Sequence, residues 1–204
     1  DLHLSIRRQR QMCIRDRFYT LRQTVLEPKP ADRRRPMLVC AGSSEAGRTF
    51  ALKNTDMLFN VAWDLDTIPD QTAAIRQDAA AIGREVGVFT NAYVVCRPTA
   101  REAEEYHHFY AVECADTEAV ETMVVERGLD QPGVPEELRR LFRLRSAGGN
   151  GAMPIVGDPD KVAEQMRVLS ESGITALALG LPNYLLELPI LRDEVLPRLE
   201  QSLI

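Results

Sequence analysis

Between residue 37 and the carboxyl end, short continuous apolar runs take turns with stretches in which apolar residues return every three or four positions. The runs are Met37 to Ala41, Met57 to Ala62, Val88 to Cys96 and Ile174 to Leu179. Their length and β-branched content predict strands, and their continuity predicts strands buried on both faces. The periodic stretches between them predict helices. The first has Ser43 or Ser44 as N-cap and carries Ala46, Phe50, Ala51 and Leu52 on its apolar side. Others run from Pro69 to about Gly83, with proline near the start and glycine at the end, and from Ala100 to about Arg127. Asp158 and Pro159 open the next, with Val162, Met166 and Leu169 as its stripe. Leu185 to Leu199 forms a last one, which Pro189 breaks or bends. Strand and helix thus alternate four times, the pattern of a parallel α/β fold. A (β/α)8 TIM barrel takes about 250 residues and eight such units. Four units read as the C-terminal half of a barrel.

Two stretches stand outside this alternation. Residues 1–17 carry Arg7, Arg8, Arg10, Arg15 and Arg17, which interrupt any apolar face, and they read as a non-native or disordered leader ahead of a domain at 18–204. Phe18 to Pro30 alternates roughly and ends in two prolines, as a hairpin or edge strand does. The stretch 128–157 is rich in glycine and proline, contains Arg139, Arg140, Arg143 and Arg145, and includes Gly148, Gly149 and Gly151. So long an irregular connection reads as a mobile loop with a functional reason behind it.

Composition narrows the partners. A net charge of −5 and a pI near 5.3 leave no electrostatic footprint for nucleic acid or an anionic membrane, which points to a small-molecule partner. Cys13, Cys40, Cys96 and Cys114 form no CxxC pair and read as reduced cysteines of a cytoplasmic protein. No apolar stretch approaches the roughly 20 residues of a membrane span. A half barrel has two open sheet edges, so pairing with another copy is expected.

The candidate chemistry begins at Gly42, Ser43 and Ser44. Free N–H groups at a helix start, two hydroxyls and a glycine that admits close approach make an anion site, with an ordinary serine N-cap as the alternative. Asn91 and Tyr93 lie two apart on one predicted strand and point the same way, offering neutral hydrogen bonds. His107 and His108 have the chemistry of a general acid or base, but neighbours on a helix point about 100° apart, so one at most faces a site. No spacing suits a metal.

With these residues in view, the chain from about Phe18 onward resembles the bacterial-luciferase-like family of flavin-dependent monooxygenases. The motifs that carry the resemblance are VLEPKP at Val25 to Pro30, AGSSEAGRTFA at Ala41 to Ala51 and IVGDPDKVAEQM at Ile155 to Met166. Tyr106 to Val120 and Asn183 to Glu200 look most like the branch of dimethylsulfone and pyrimidine monooxygenases. The resemblance implies a TIM barrel using reduced FMN and O2 through a peroxyflavin, with the reduced flavin supplied by a separate NAD(P)H:flavin reductase. It places the FMN phosphate on Gly42, Ser43 and Ser44, with the Glu45 backbone close by. It makes the loop before the last unit a lid over the flavin, with Arg145 as a candidate clamp. Similar alkanesulfonate monooxygenases carry an Arg-x-His pair where Asn91 and Tyr93 stand, which favours an uncharged organosulfur or pyrimidine-like substrate here. Within the same fold, a deazaflavin (F420)-dependent hydride-transfer oxidoreductase is the rival; a non-catalytic truncated fragment is the rival of another class.

Overall fold

The computed structural model describes residues 12–15, 20–24, 34–42, 44–62 and 65–200. The chain divides into two units, 1–37 and 38–204. In the first, β1 (Met12–Arg15) pairs antiparallel with β2 (Thr20–Thr24), with a register irregularity between Met12 and Ile14. A strand therefore lies inside the stretch 1–17 that was expected to lack structure, and the division does not fall at residue 17. Arginines interrupt an apolar face, but backbone N–H and C=O groups are what a hairpin pairs. The VLEPKP motif lies outside the described residues.

The second unit is the α/β body. Its strands are β3 (Val39–Cys40), β4 (Met57–Phe59), β5 (Gly87–Cys96), β6 (Met153–Gly157) and β7 (Ala176–Gly180). All pairings among them are parallel, β3 to β4, β4 to β5, and β5 to both β6 and β7. Ala92 and Tyr93 have partners in both β6 and β7, so these two flank opposite edges of β5. The path β3, β4, β5, β7 follows the four runs expected from sequence, and the result is a partial (β/α)8 barrel. The short β6 pairs only along the C-terminal part of β5.

The connecting helices are α1 (Glu45–Asn54), α2 (Ile68–Ala81), α3 (Ala100–His108), α4 (Thr117–Glu126), α5 (Glu136–Gly149), α6 (Pro159–Glu171), α7 (Tyr184–Ile190) and α8 (Leu196–Glu200). The segment expected as one helix from Ala100 to Arg127 is instead α3, a π-helical turn at Phe109–Glu113 and then α4. The break comes where Asp116 caps α4 by accepting from Ala119 N at 3.0 Å. Pro189 sits inside α7, and the chain runs on through a π-helical turn at Leu191–Val195 into α8.

The larger correction concerns 128–157. Most of it is α5 and β6, not a mobile loop. The arginines that gave it a loop-like look lie along a helix among glutamates: Arg139 on Glu136 at 3.1 Å, Arg140 on Glu137 at 2.8 Å and Arg143 on Glu121 of α4 at 2.6 Å. Gly148 and Gly149 belong to the helix itself; the turn is made by Asn150 and Gly151, at φ 53° and 81°.

The two faces of β5 are unlike. Val88, Ala92, Val94 and Cys96 pack in a core with Ala51 of α1, Ile75 of α2 and Leu169 of α6. Tyr93 and Val95 point the other way and pack with Ala103 of α3 and Ala152. The side chains of β5 thus divide between a helix-facing layer and the opposite face, on which the candidate site stands.

Candidate functional site

Active sites of (β/α)8 folds lie at the C-terminal ends of the strands, and the parallel strands β3 to β7 all end on that side. After β3 comes the Gly42 turn. Ser44 is the N-cap of α1, in extended backbone, and its Oγ accepts from Gly47 N at 3.1 Å. A Cβ on Gly42 would lie 2.4 Å from the Gly47 carbonyl, so only glycine lets the strand meet the helix so closely. Glu45 and Ala46 follow at the first two helical positions, ahead of the first intrahelical bond, where backbone N–H groups point outward. Ser43 lies outside the described residues. The expected N-cap is therefore present, and because the Ser44 oxygen is the acceptor in that bond, its hydroxyl hydrogen remains a donor for an anion.

At the end of β5 the structure brings together three of the residues singled out from sequence. Tyr93 is 1% exposed and its hydroxyl lies 2.8 Å from His107 Nε2. Arg145 reaches the same place from α5, 7% exposed, and donates Nη1 to Ala62 O, just past β4, at 3.2 Å. It is a helix residue buried over the strand ends, where a clamp on a mobile loop was expected. Burial pushes the Tyr93 hydroxyl far above its usual range, with the charge of Arg145 opposing. Burial, and then His108, holds His107 below the usual imidazole range. His108 points elsewhere, exposed and 3.6 Å from Glu113, so only one of the paired histidines faces the site. Asn91 is half-buried two residues before Tyr93 on the same strand.

What fixes Tyr93 is α5. A Cβ on Gly149 would lie 2.2 Å from Tyr93 Cδ1 and one on Gly148 would lie 2.6 Å from its hydroxyl, so both glycines are seats for the ring rather than hinges. Tyr110 completes the enclosure, donating to Gly148 O at 3.1 Å and standing edge-on to His107 at 5.6 Å.

Sequence reasoning passed over a second element of this mouth. Arg97, which follows β5, donates to Glu187 of α7 at 2.8 Å and stacks on Tyr106 at 3.9 Å. Glu187 is 2% exposed and its other oxygen accepts from Asn183 N at 3.3 Å. Ninety residues separate the partners, and no local pattern marks such a pair. Among the cysteines, Cys96 is buried and its thiol is pushed up to about 11, Cys40 is half-buried and Cys114 is exposed. Among the described residues no helix is long and apolar enough to cross a membrane.

The family model for luciferase-like monooxygenases matches residues 6–176. The chain belongs to that luciferase-like family. The match begins within 1–17, the stretch read as an added leader. Among curated proteins, the chain is 29% identical to an FMNH(2)-dependent dimethylsulfone monooxygenase of Pseudomonas putida, over 88% of this chain and 51% of that protein. It is 26% identical to pyrimidine monooxygenase RutA of Enterobacter sp. (strain 638), over 90% of this chain and 51% of that protein. These are the two kinds of relative that Tyr106 to Val120 and Asn183 to Glu200 suggested. The chain spans about half the length of the curated relatives it matches. Among solved structures, DmoA from Hyphomicrobium sulfonivorans superposes with a TM-score of 0.75 at 21% identity, over 94% of this chain and 47% of that one. An F420-dependent secondary alcohol dehydrogenase superposes at 0.59 and 18% identity, so the luciferase-like fold is shared with deazaflavin enzymes.

A depressed histidine has a consequence for stability. The folded state releases the His107 proton more readily than the unfolded chain, whose imidazole titrates near 6.5. The stability this contributes is complete above about pH 6.5 and is lost as pH falls toward the folded value. His107→Gln, which keeps a hydrogen-bonding side chain, should flatten the stability profile below about pH 6.5, measured by urea unfolding. A parallel decline in both proteins would show that His107 is not the titrating group.

Proposed function

We propose that this chain forms part of an FMN-dependent monooxygenase that uses reduced flavin and O2 on a small uncharged organosulfur or pyrimidine-like substrate. The observation that carries the reading is the start of α1, where the Ser44 hydroxyl and the first helical N–H groups, held close to β3 by the Gly42–Gly47 approach, would receive a dianion, in a chain matched to luciferase-like enzymes over 6–176. Gly42, Ser43, Ser44 and the Glu45 backbone would hold the FMN phosphate. The flavin would supply two-electron reduction of O2 and oxygen transfer, and it would arrive reduced from an NAD(P)H:flavin reductase.

The share of the protein is placement and exclusion of water. The proposed phosphate site follows β3, while Asn91 and Tyr93 stand toward the same end of the same sheet on β5, so a flavin anchored by its phosphate would lie along the mouth. Asn91 offers neutral hydrogen bonds to a substrate, the Tyr93 hydroxyl beside it is taken up by His107, and the cation next to them, Arg145, has Nη1 on Ala62 O. This favours an amide, sulfone or sulfide over a sulfonate. Burial of Tyr93 and Arg145 keeps the site dry, which protects reactive oxygen from water.

The test supplies reduced FMN and oxygen-18 gas together with dimethylsulfone, uracil or an alkanesulfonate, and reads isotope in the product by mass spectrometry. Label in the products of a neutral substrate, with none from the sulfonate, is expected. Oxidation of the sulfonate alone, or hydride transfer to F420 with no label, would replace this reading.

A further inference from the structure

Tyr93 and His107 share a hydrogen bond but not an environment. Tyr93 is enclosed, its ring seated on Gly148 and Gly149 and its hydroxyl turned to the imidazole. His107 is half-buried and lines a cleft of about 590 Å3 between α3 with its π-helical turn, α4 and α5. The walls of the cleft include Ala111, Val120, Leu144 and Ala147, and His107 is where this space meets the bond to Tyr93. Both rings are held: Tyr110 lies edge-on to the imidazole at 5.6 Å, and its own hydroxyl is fixed on Gly148 O. A 2.8 Å contact between two immobilised rings, one sealed and the other at an opening, is the geometry of a proton port.

We propose that His107 passes protons between the open cleft and the buried Tyr93 hydroxyl, accepting at one ring nitrogen and releasing at the other. In each passage the Tyr93 Oη–H bond breaks as the Nε2–H bond forms, and Nδ1 gives its proton to water in the cleft. In each passage one proton moves, the imidazole ends in its other tautomer and no electron changes place; the reverse passage, in which Nδ1 takes a proton from water as Nε2 returns one to the Tyr93 oxygen, restores the tyrosine. Histidine suits this because its neutral ring has one donor and one acceptor nitrogen.

Burial, and after it the neighbouring His108, leaves the neutral ring favoured. Arg145 stands near Tyr93, and His108 adjoins His107 on α3. Glu104, also on α3, lines the cleft. From α4 and α5, Glu121 and Arg143 meet across it as an ion pair at 2.6 Å, and Arg140 is held by Glu137 at 2.8 Å. Use of this route in catalysis rests on the monooxygenase reading, in which a dry mouth needs protons without bulk water; the route itself does not.

The experiment needs no flavin. Tyrosine carrying carbon-13 at Cζ is incorporated, and hydroxyl exchange at Tyr93 is read in half-deuterated water from the isotope shift on its Cζ signal, assigned by its loss in Tyr93→Phe. His107→Gln keeps a hydrogen-bonding group that cannot relay, so exchange should slow at least about tenfold. His107→Ala opens the cleft to Tyr93, and added imidazole should restore most of the lost rate. An unchanged rate in His107→Gln would overturn the proposal, as would a native-position Tyr93 signal in His107→Ala whose exchange imidazole does not speed. Because FMN is absent, failure of the flavin reading leaves this result standing, and the reverse holds as well.

Discussion

Replacing Arg97 by alanine is expected to destabilise the chain by about 3–5 kcal/mol, a fall in Tm of roughly 10 °C, because it strands a buried carboxylate. Glu187 is 2% exposed, and Arg97 is the cation that faces it at 2.8 Å. The same substitution strips the guanidinium from the Tyr106 ring, 3.9 Å away. Urea unfolding measures the loss. The double variant Arg97→Ala with Glu187→Leu should recover much of it, since exchanging a buried pair for apolar groups is close to neutral where breaking it is not. A cost under about 1 kcal/mol for Arg97→Ala would place the pair with exposed surface bridges instead.

Gly149→Ala separates two physical effects by sign. In an exposed helix interior the change would stabilise by about 1 kcal/mol through propensity. Here the new methyl would lie 2.2 Å from Tyr93 Cδ1 and 2.5 Å from Cγ, so the ring or the helix must move. Overpacking of this kind costs about 1–3 kcal/mol or more, and it should also lengthen the hydrogen bond from Tyr93 to His107. Chemical denaturation gives the sign, and the His107 ring signals in an NMR spectrum report the bond. A more stable variant with unchanged His107 signals would mean that α5 does not seat the tyrosine.

The fold was legible where one level of pattern decides it. The run Val88 to Cys96 became β5 nearly residue for residue because its apolar, β-branched and aromatic residues outweigh the polar Thr90 and Asn91, as in a strand covered on both sides. Ser44 was legible as a cap because serine before an amphipathic run has a local job. The helix α5 was missed because its arginines and glycines look like loop composition, and both make sense only through partners elsewhere, Glu121 on α4 for Arg143 and the Tyr93 ring for Gly149. The candidate residues were chosen one at a time; their meeting was not visible. Tyr93 and His107 lie on different elements, and the available signal was the stripe Ala103, Tyr106, His107 and Tyr110, which recurs at helical spacing with an unusual aromatic content. Arg145 was chosen from a resemblance and a hinge that does not exist, yet it does reach the mouth, by packing over the strand ends.

If the start of α1 holds the phosphate of FMN as proposed, FMN and riboflavin must differ in how they bind. Binding of each oxidised flavin, followed by fluorescence quenching, is measured for this chain and for Ser44→Ala. FMN should bind more tightly than riboflavin, and Ser44→Ala, by removing a hydrogen bond to a charged acceptor worth about 1.5–3 kcal/mol, should weaken FMN about tenfold to a hundredfold. Riboflavin should lose little. Equal affinities for FMN and riboflavin in the parent chain, with Ser44→Ala costing only about 1 kcal/mol of folding stability, would reduce Ser44 to a helix cap and contradict the phosphate site.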